Sequence, residues 1–182
     1  MKGIIFNIAE SYLIETYGEE MFDEIIDECN LETIDPFVAP GTYPDSDLLE
    51  ILVQTTKKVN ITIDNLLKDL GRYAFFKLAD RYPYFLEPYS SPKDFLLTVD
   101  DVIHVEVKKL YANSYLPTFQ YQEPSENELI ITYFSKRKLY PLMEGLINGV
   151  SDYFNKPIHQ THKIYQKNGN EFCDFHLNFE NE

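Results

Sequence analysis

The sequence predicts an α+β fold, with N-terminal helices followed by a long helix and an antiparallel sheet that carries one more helix. Two observations predict it: apolar residues recur at helical spacing in the first half, whereas residues 129–135 and 158–179 have strand patterns. The composition is typical of a globular chain, with 44% hydrophobic and 25% charged residues among 182. We therefore expect a single domain over 1–182, helical over about 1–92 and helix plus sheet over about 93–182.

Four helices are predicted in order along the first half. The first ends at Gly18, and the second follows directly after it. Either Ser46 or Asp47 is expected to be the N-cap of the third helix, and Asp64 is expected to cap the fourth. The Pro-rich and aromatic segment 82–92 then predicts a packed connection.

The second half changes to a mixture of helix and strand. A helix is predicted over about 95–111, a strand over 129–135 and a further helix over 142–154. The last segment, 158–179, is predicted to be a hairpin because Asn168-Gly169 is a strong type I′ turn signal.

The charge balance argues against several classes of function. The chain has 16 basic and 30 acidic residues, a net charge of −14, which repels nucleic acid and anionic membranes alike. No apolar run approaches the length that spans a bilayer, and the N-terminus reaches Asn7 and Glu10 too soon for a signal peptide. Two cysteines, Cys29 and Cys173, are too few for a disulfide scaffold. We expect a cytoplasmic protein without a nucleic-acid or membrane partner.

His104 is the first candidate functional residue. It lies within the predicted helix over 95–111, at the edge of an apolar stripe formed by Ile103, Val107, Leu110 and Tyr111, so its side chain is expected to point inward. Two interpretations remain open at this point. His104 is either a core histidine satisfied by a hydrogen bond or an axial ligand to a metal cofactor, for which a neutral imidazole on a helix is well suited.

A second candidate site consists of Tyr133, Ser135 and Arg137. Residues spaced by two leave the same face of a strand, and these three then span roughly 13 Å at about 3.3 Å per residue. Two hydroxyls and a forked guanidinium in a row are suited to bind carboxylates. A solvated strand face is the alternative. The apolar Leu129 and Ile131 on the same face favour the mouth of a cavity.

Together these residues resemble the heme-nitric oxide/oxygen binding (H-NOX) family, the bacterial relatives of the heme domain of soluble guanylate cyclase. The family's Tyr-x-Ser-x-Arg motif is matched in full by Tyr133, Ser135 and Arg137, and its proximal histidine is matched by His104. The resemblance covers essentially the whole chain. Further matches are the opening residues 1–5, Gly71-Arg72, Leu116-Pro117, Gly145-Leu146 and the final hairpin.

The resemblance implies a role for each matched residue. His104 would be the axial ligand of a heme b iron, and the Tyr-x-Ser-x-Arg motif would bind the heme propionates. Pro117 would press on the porphyrin, and Asp45 would pair with Arg137 behind the propionates.

The family's distal pocket decides which gas is bound. Bound O2 develops negative charge that a hydrogen-bond donor stabilises, and the O2-binding members carry a distal tyrosine for this purpose. Here the matching residues of the distal side are all apolar: Ile5, Ala9, Ala74, Leu142 in the tyrosine's place, and Leu146. The resemblance therefore implies a nitric oxide sensor that also binds CO and excludes O2. Tyr140 lies about 200° from Leu142 around a helix, so we expect it to face elsewhere unless the helix starts late.

A C-terminal zinc site, present in some relatives, is not expected here. His162 and Cys173 match two of its ligands, but Tyr140 and Tyr165 occupy the other positions. An alternative set built from His159, His162, Cys173 and His176 would be split across the two faces of the hairpin, where four ligands cannot surround one ion.

The resemblance also implies how the signal leaves the protein. NO weakens the bond opposite to it, so iron would release His104, and the change would reach a separate histidine kinase or cyclic-di-GMP enzyme because no effector follows the hairpin. A heme-free sensor of another apolar ligand and a structural interaction protein are the main alternatives. An enzyme is not expected, because no Gly-rich phosphate loop or catalytic triad is present in the sequence.

Overall fold

The computed structural model describes residues 1–111 and 114–179. None of the helices in these ranges combines the length and the apolar character needed to cross a membrane. The α-helices are α1 Gly3–Tyr17, α2 Glu19–Glu28, α3 Asp45–Val59, α4 Ile63–Arg81, α5 Pro92–Leu97, α6 His104–Leu110 and α7 Tyr140–Phe154. A 3-10 helix at Pro83–Phe85 lies within the predicted connection, and a π-helical turn at Val99–Ile103 precedes α6.

Four antiparallel strands form one sheet in the order β1-β2-β4-β3. Their bounds are β1 Thr118–Gln122, β2 Glu128–Phe134, β3 Ile158–Lys167 and β4 Asn170–Phe179. The predicted hairpin is confirmed, since Asn168 and Gly169 both have positive φ, as a type I′ turn requires. Strand β1, which has five residues and directly follows the Leu116-Pro117 dipeptide, was not predicted from the sequence.

The apolar residues form two clusters that share the helix α7. One cluster packs the inner face of the sheet, including Phe175 and Ile131, against α4, α5 and the face of α7 that carries Ile147. The other joins α1 to α4 and includes Leu13 and Leu52. Leu146 on α7 packs against both clusters, so this helix connects the N-terminal helices to the sheet.

The backbones of α4 and α7 are in direct contact. A Cβ at Gly145 would lie 2.0 Å from the carbonyl oxygen of Lys68, and a Cβ at Gly71 would lie 2.2 Å from that of Leu142. Such distances are far below van der Waals contact, so only glycine fits at either position without displacing a helix. This close approach places Leu142 and Leu146 opposite Ala74 on α4.

The connection between α2 and α3 is anchored by a buried carboxylate. Asp47, only 1% exposed, accepts hydrogen bonds from the amides of Glu32 and Thr33 at 2.9 and 3.1 Å and from the Thr33 hydroxyl at 2.5 Å. The expectation that Asp47 or Ser46 caps α3 is therefore wrong. The helix begins one residue earlier, at Asp45, and the Asp47 carboxylate bonds a distant loop instead of its own first turn. Likewise, Thr62 and not Asp64 caps α4.

The predicted helix over 95–111 is present but not continuous. The amide of His104 donates to the carbonyl of Val99, five residues earlier, so a π-helical turn separates α5 from α6. Such turns are rare and are found frequently at functional sites. The predicted stripe is also wrong at Leu110, which is 54% exposed because α6 ends there.

Candidate functional site

An apolar cavity lies between α1, α3, α4 and α7. Its volume is about 70 Å³, and by the same measure one water molecule needs only about 10–15 Å³. Every residue that lines it is apolar: Met1, Ile5, Ile8, Leu48, Leu49, Leu52, Leu67, Leu70, Ala74, Leu78, Leu139, Leu142 and Leu146. The cavity has room for a diatomic molecule and offers it no side-chain hydrogen-bond donor.

Most of the predicted distal residues come together around this cavity. Ile5, Ala74, Leu142 and Leu146 line it, whereas Ala9 is buried next to them in the same cluster but is not in its wall. Other lining residues were not predicted. Leu70 and Leu78 could have been found from the sequence, because they lie one turn before and after Ala74 on one face of α4.

Tyr140 faces away from the cavity, as expected. It is the first residue of α7, is buried in the cluster under the sheet, and donates a hydrogen bond from its hydroxyl to Glu171 at 3.0 Å. Burial and the neighbouring Glu171 carboxylate both raise the pKa of Tyr140. Its phenol is therefore neutral, held by Glu171 and directed away from Leu142.

His104 is the first residue of α6, and its side chain is only 13% exposed. Its Nδ1 lies 3.0 Å from an Oδ1 of Asp100, and its ring lies 5.2 Å from that of Phe119 on β1. Burial lowers the pKa of His104, although the Asp100 carboxylate and the Pro117 carbonyl oppose the shift. A carboxylate only accepts, so the proton of the neutral imidazole is assigned to Nδ1, and the lone pair lies on Nε2.

The Tyr-x-Ser-x-Arg motif does not lie along one strand, so the predicted extended face of about 13 Å is wrong. Strand β2 ends at Phe134, and only Tyr133 belongs to it. Ser135 is buried, and its Oγ accepts the amide of Arg137 at 3.2 Å within the turn that leads to α7. The side-chain directions of Ser135 and Arg137 are therefore set by this turn, in which Lys138 has a φ of 52°, and not by the alternation of a strand.

The side chain of Arg137 is bound by groups from two distant parts of the chain. Its Nε and Nη2 donate to the two carboxylate oxygens of Asp45 at 2.5 and 3.0 Å, and its Nη1 donates to the carbonyl of Tyr115 at 2.6 Å. The predicted pairing of Asp45 with Arg137 is thereby confirmed. The α-amino group of Met1 lies 2.6 Å from the same carboxylate. Asp45 thus pairs with both the Arg137 guanidinium and the amino group of Met1, a residue that also lines the cavity.

The structure separates the predicted residues into two groups. Ile5, Ala74, Leu142 and Leu146 surround the cavity, whereas His104, Pro117 and the Tyr-x-Ser-x-Arg motif are not among its lining residues. Pro117 immediately precedes β1, and its carbonyl interacts with the His104 imidazole. Asp100 was not predicted, although an acidic residue four positions before the histidine on one helical segment is visible in the sequence.

The terminal hairpin has the register that a two-residue turn at Asn168-Gly169 sets. Ile164 pairs with Cys173, and His162 pairs with Phe175 on the same face, whereas Thr161 and His176 share the other face. Among residues 1–111 and 114–179, no cluster of three or more His, Cys, Asp or Glu side chains could hold a metal ion. His162 instead places its Nδ1 2.6 Å from the carboxylate of Glu144 on α7.

A largely shielded imidazole, an apolar cavity and a guanidinium held by a carboxylate are groups that a heme-based sensor of small gases can use. A family model described as Haem-NO-binding matches residues 2–162, most of the chain. The protein therefore belongs to this family of heme-based gas sensors.

Comparison with solved structures gives the same fold. The unliganded Fe(II) H-NOX protein from K. algicida is 32% identical, with a TM-score of 0.91 over 100% of this chain and 98% of that one. An H-NOX protein from S. oneidensis in the Fe(II)NO state is 28% identical, with a TM-score of 0.91 and full coverage of both chains. The I5F mutant of T. tengcongensis H-NOX is 21% identical, with a TM-score of 0.89 over 100% of this chain and 98% of that one, and it shows likeness of fold alone. The predicted α+β H-NOX fold is confirmed.

The apolar cavity should bind xenon in protein prepared without heme, since dry apolar cavities of this kind take up xenon. Ala74→Phe should fill the space and abolish the xenon-dependent shift in ¹²⁹Xe NMR, whereas Leu78→Ala should enlarge the space and strengthen that shift. An unchanged shift in Ala74→Phe would show that xenon binds elsewhere.

Proposed function

We propose that this protein senses nitric oxide at a ferrous heme b whose axial ligand is His104, and that it also binds CO but excludes O2. The proposal covers one sensor domain over residues 1–182, cytoplasmic and not itself an enzyme. The wholly apolar lining of the cavity carries it, because it provides no hydrogen-bond donor for the negative charge that develops on bound O2. The bound heme iron would supply the coordination position that NO occupies.

The residues present fit a heme by their chemistry. The His104 imidazole is neutral, and its Nδ1 is held by a carboxylate, which leaves the Nε2 lone pair for a metal. The Arg137 guanidinium, which Asp45 holds in place, is a forked cation of the kind that binds a propionate. Tyr133 and Ser135 add hydroxyl groups at the end of β2 and in the next turn, and Pro117 lies against His104.

The distal and proximal residues have separate roles. On the distal side, Ile5, Leu142, Leu146 and Ala74, with Ala9 behind them, exclude water and polar contacts. On the proximal side, His104 would hold the iron, and its release on NO binding would free α6 to shift. The shift would be read by a separate protein, which we propose, by family resemblance, to be a histidine kinase or a cyclic-di-GMP enzyme.

Replacing His104 with Gly tests the axial ligand. The variant should lose its heme or bind it much more weakly, and added imidazole should restore binding by filling the space that the side chain leaves. Absorption spectra of the reduced protein measure both effects. His176→Gly, at an exposed position on β4, is the matched control and should keep the wild-type spectrum. An unchanged spectrum of His104→Gly without imidazole would exclude His104 as the ligand.

Leu142→Tyr tests the exclusion of O2. The ferrous wild-type protein should bind NO and CO and give no stable O2 complex in air, whereas a phenol in the apolar cavity should raise O2 affinity. A hydrogen bond to a charged group corresponds to a gain of about 10- to 100-fold, and NO affinity should change less. Leu142→Phe is the control, since it adds the ring without the hydroxyl. A stable O2 complex of the wild-type protein in air would contradict the proposal.

The propionate contacts are tested by comparing Arg137→Ala with Ser135→Ala. The arginine variant should release heme faster to an acceptor such as apomyoglobin, because a charge-assisted hydrogen bond is about twice as strong as a neutral one. Asp45→Asn keeps Arg137 but removes the carboxylate with which Arg137 pairs. This control variant therefore distinguishes loss of the propionate contact from loss of the local ion pair. Equal release from the two motif variants would indicate that Arg137 serves only its bond to Asp45.

A further inference from the structure

Among the side chains of residues 1–111 and 114–179, Asp100 is the one that hydrogen-bonds the His104 imidazole, which the backbone carbonyl of Pro117 also contacts. Its Oδ1 lies 3.0 Å from Nδ1, and both side chains are largely shielded from solvent, with exposed fractions of 24% and 13%. A hydrogen bond to a charged group is stronger than one between neutral groups, and it is weakened less by solvent in a shielded position than at the surface.

Asp100 is itself held in place. Its amide donates to the Tyr121 hydroxyl at 3.3 Å, which ties the π-helical turn to β1. Burial of Tyr121 raises the pKa of its hydroxyl, which keeps that group neutral. The same strand places the Phe119 ring against His104. The carboxylate and the imidazole are therefore both positioned by β1, and their contact does not depend on the apolar cavity.

We propose that Asp100 is a positioning residue that sets how firmly His104 holds the iron, and thereby how readily NO releases it. This inference rests on the proposed function. By accepting a hydrogen bond from the Nδ1–H group, the carboxylate fixes the ring orientation and raises the basicity of Nε2, as the partners of metal-bound histidines generally do. If the bond from His104 to iron is stronger, the His104 imidazole should stay bound to iron in a larger fraction of the NO-bound molecules.

The adjacent Asp101 offers a matched control. It carries the same charge on the same π-helical turn, but its side chain is exposed, whereas Asp100 is partly buried against His104. A substitution of Asp101 changes the net charge and the local sequence as much as one of Asp100 does. Any difference between the two variants therefore reports on the hydrogen bond to Nδ1.

The experiment compares Asp100→Asn, Asp100→Leu and Asp101→Asn with the wild-type protein, each reconstituted with heme. The iron–histidine stretching frequency of the ferrous proteins is measured by resonance Raman spectroscopy. It should fall from wild type to Asp100→Asn to Asp100→Leu and stay unchanged in Asp101→Asn. Heme affinity should fall by roughly 10- to 100-fold in Asp100→Leu, and its NO complex should retain His104 in a smaller fraction of molecules.

Two outcomes separate the inference from the proposed function. If the iron–histidine band is present in the wild-type protein, absent in His104→Gly and unchanged in both Asp100 variants, Asp100 has no such role although His104 is the ligand. If His104→Gly keeps the wild-type spectrum, the proposed function itself fails. Asp100→Asn is isosteric, so it reports on the hydrogen bond even where Asp100→Leu does not fold.

Discussion

The backbone contact between α4 and α7 is the constraint on which the rest of the structure depends. Because Gly71 and Gly145 carry no Cβ, the two helices approach until each glycine lies against a carbonyl of the other helix. Helix α7 also covers the inner face of the sheet, so this contact fixes the N-terminal helices relative to β2 and β4. The cavity results from the same contact, since Ala74 on α4 and Leu142 and Leu146 on α7 face each other beside it.

Two carboxylates at the start of α3, Asp45 and Asp47, connect separate segments of the chain. Most of the acidic residues behind the net charge of −14 lie at the surface. Asp45 and Asp47, in contrast, each bind specific groups, and the partners of the two carboxylates differ. Asp47 accepts three hydrogen bonds from Glu32 and Thr33, and although its burial acts in the opposite direction, these bonds lower its pKa. Asp45 instead joins Arg137 to the N-terminus. One helical turn therefore fixes both the α2–α3 connection and the turn after β2.

The sequence predicted the elements well because their periodicity and turn chemistry are local. The hairpin register followed from Asn168-Gly169, and the apolar character of the cavity followed from Ile5, Ala74 and Leu142, placed by family resemblance. What the sequence could not predict depends on contacts between distant segments. Asp47 reads as a helix cap, yet it bonds a loop fourteen residues away. Tyr133, Ser135 and Arg137 read as one strand, yet Asp45 and Tyr115 hold Arg137 in a turn. The π-helical turn before His104 is only five residues long, which is too short for a recognisable hydrophobic periodicity in the sequence.

The residues that we propose for the proximal and distal sides lie on different elements, and this division bears on the proposed signalling. His104 depends on α6, the π-helical turn and β1, whereas the cavity depends on α1, α3, α4 and α7. The two parts meet at the end of α6, where the hydroxyls of Tyr111 and Tyr82 lie 2.6 Å apart and join it to the end of α4. A displacement of α6 after release of His104 would therefore reach α4 through this bond. Since α4 and α7 contact each other through their backbones, they cannot slide separately, and the displacement would move them as one body against α6 and β1.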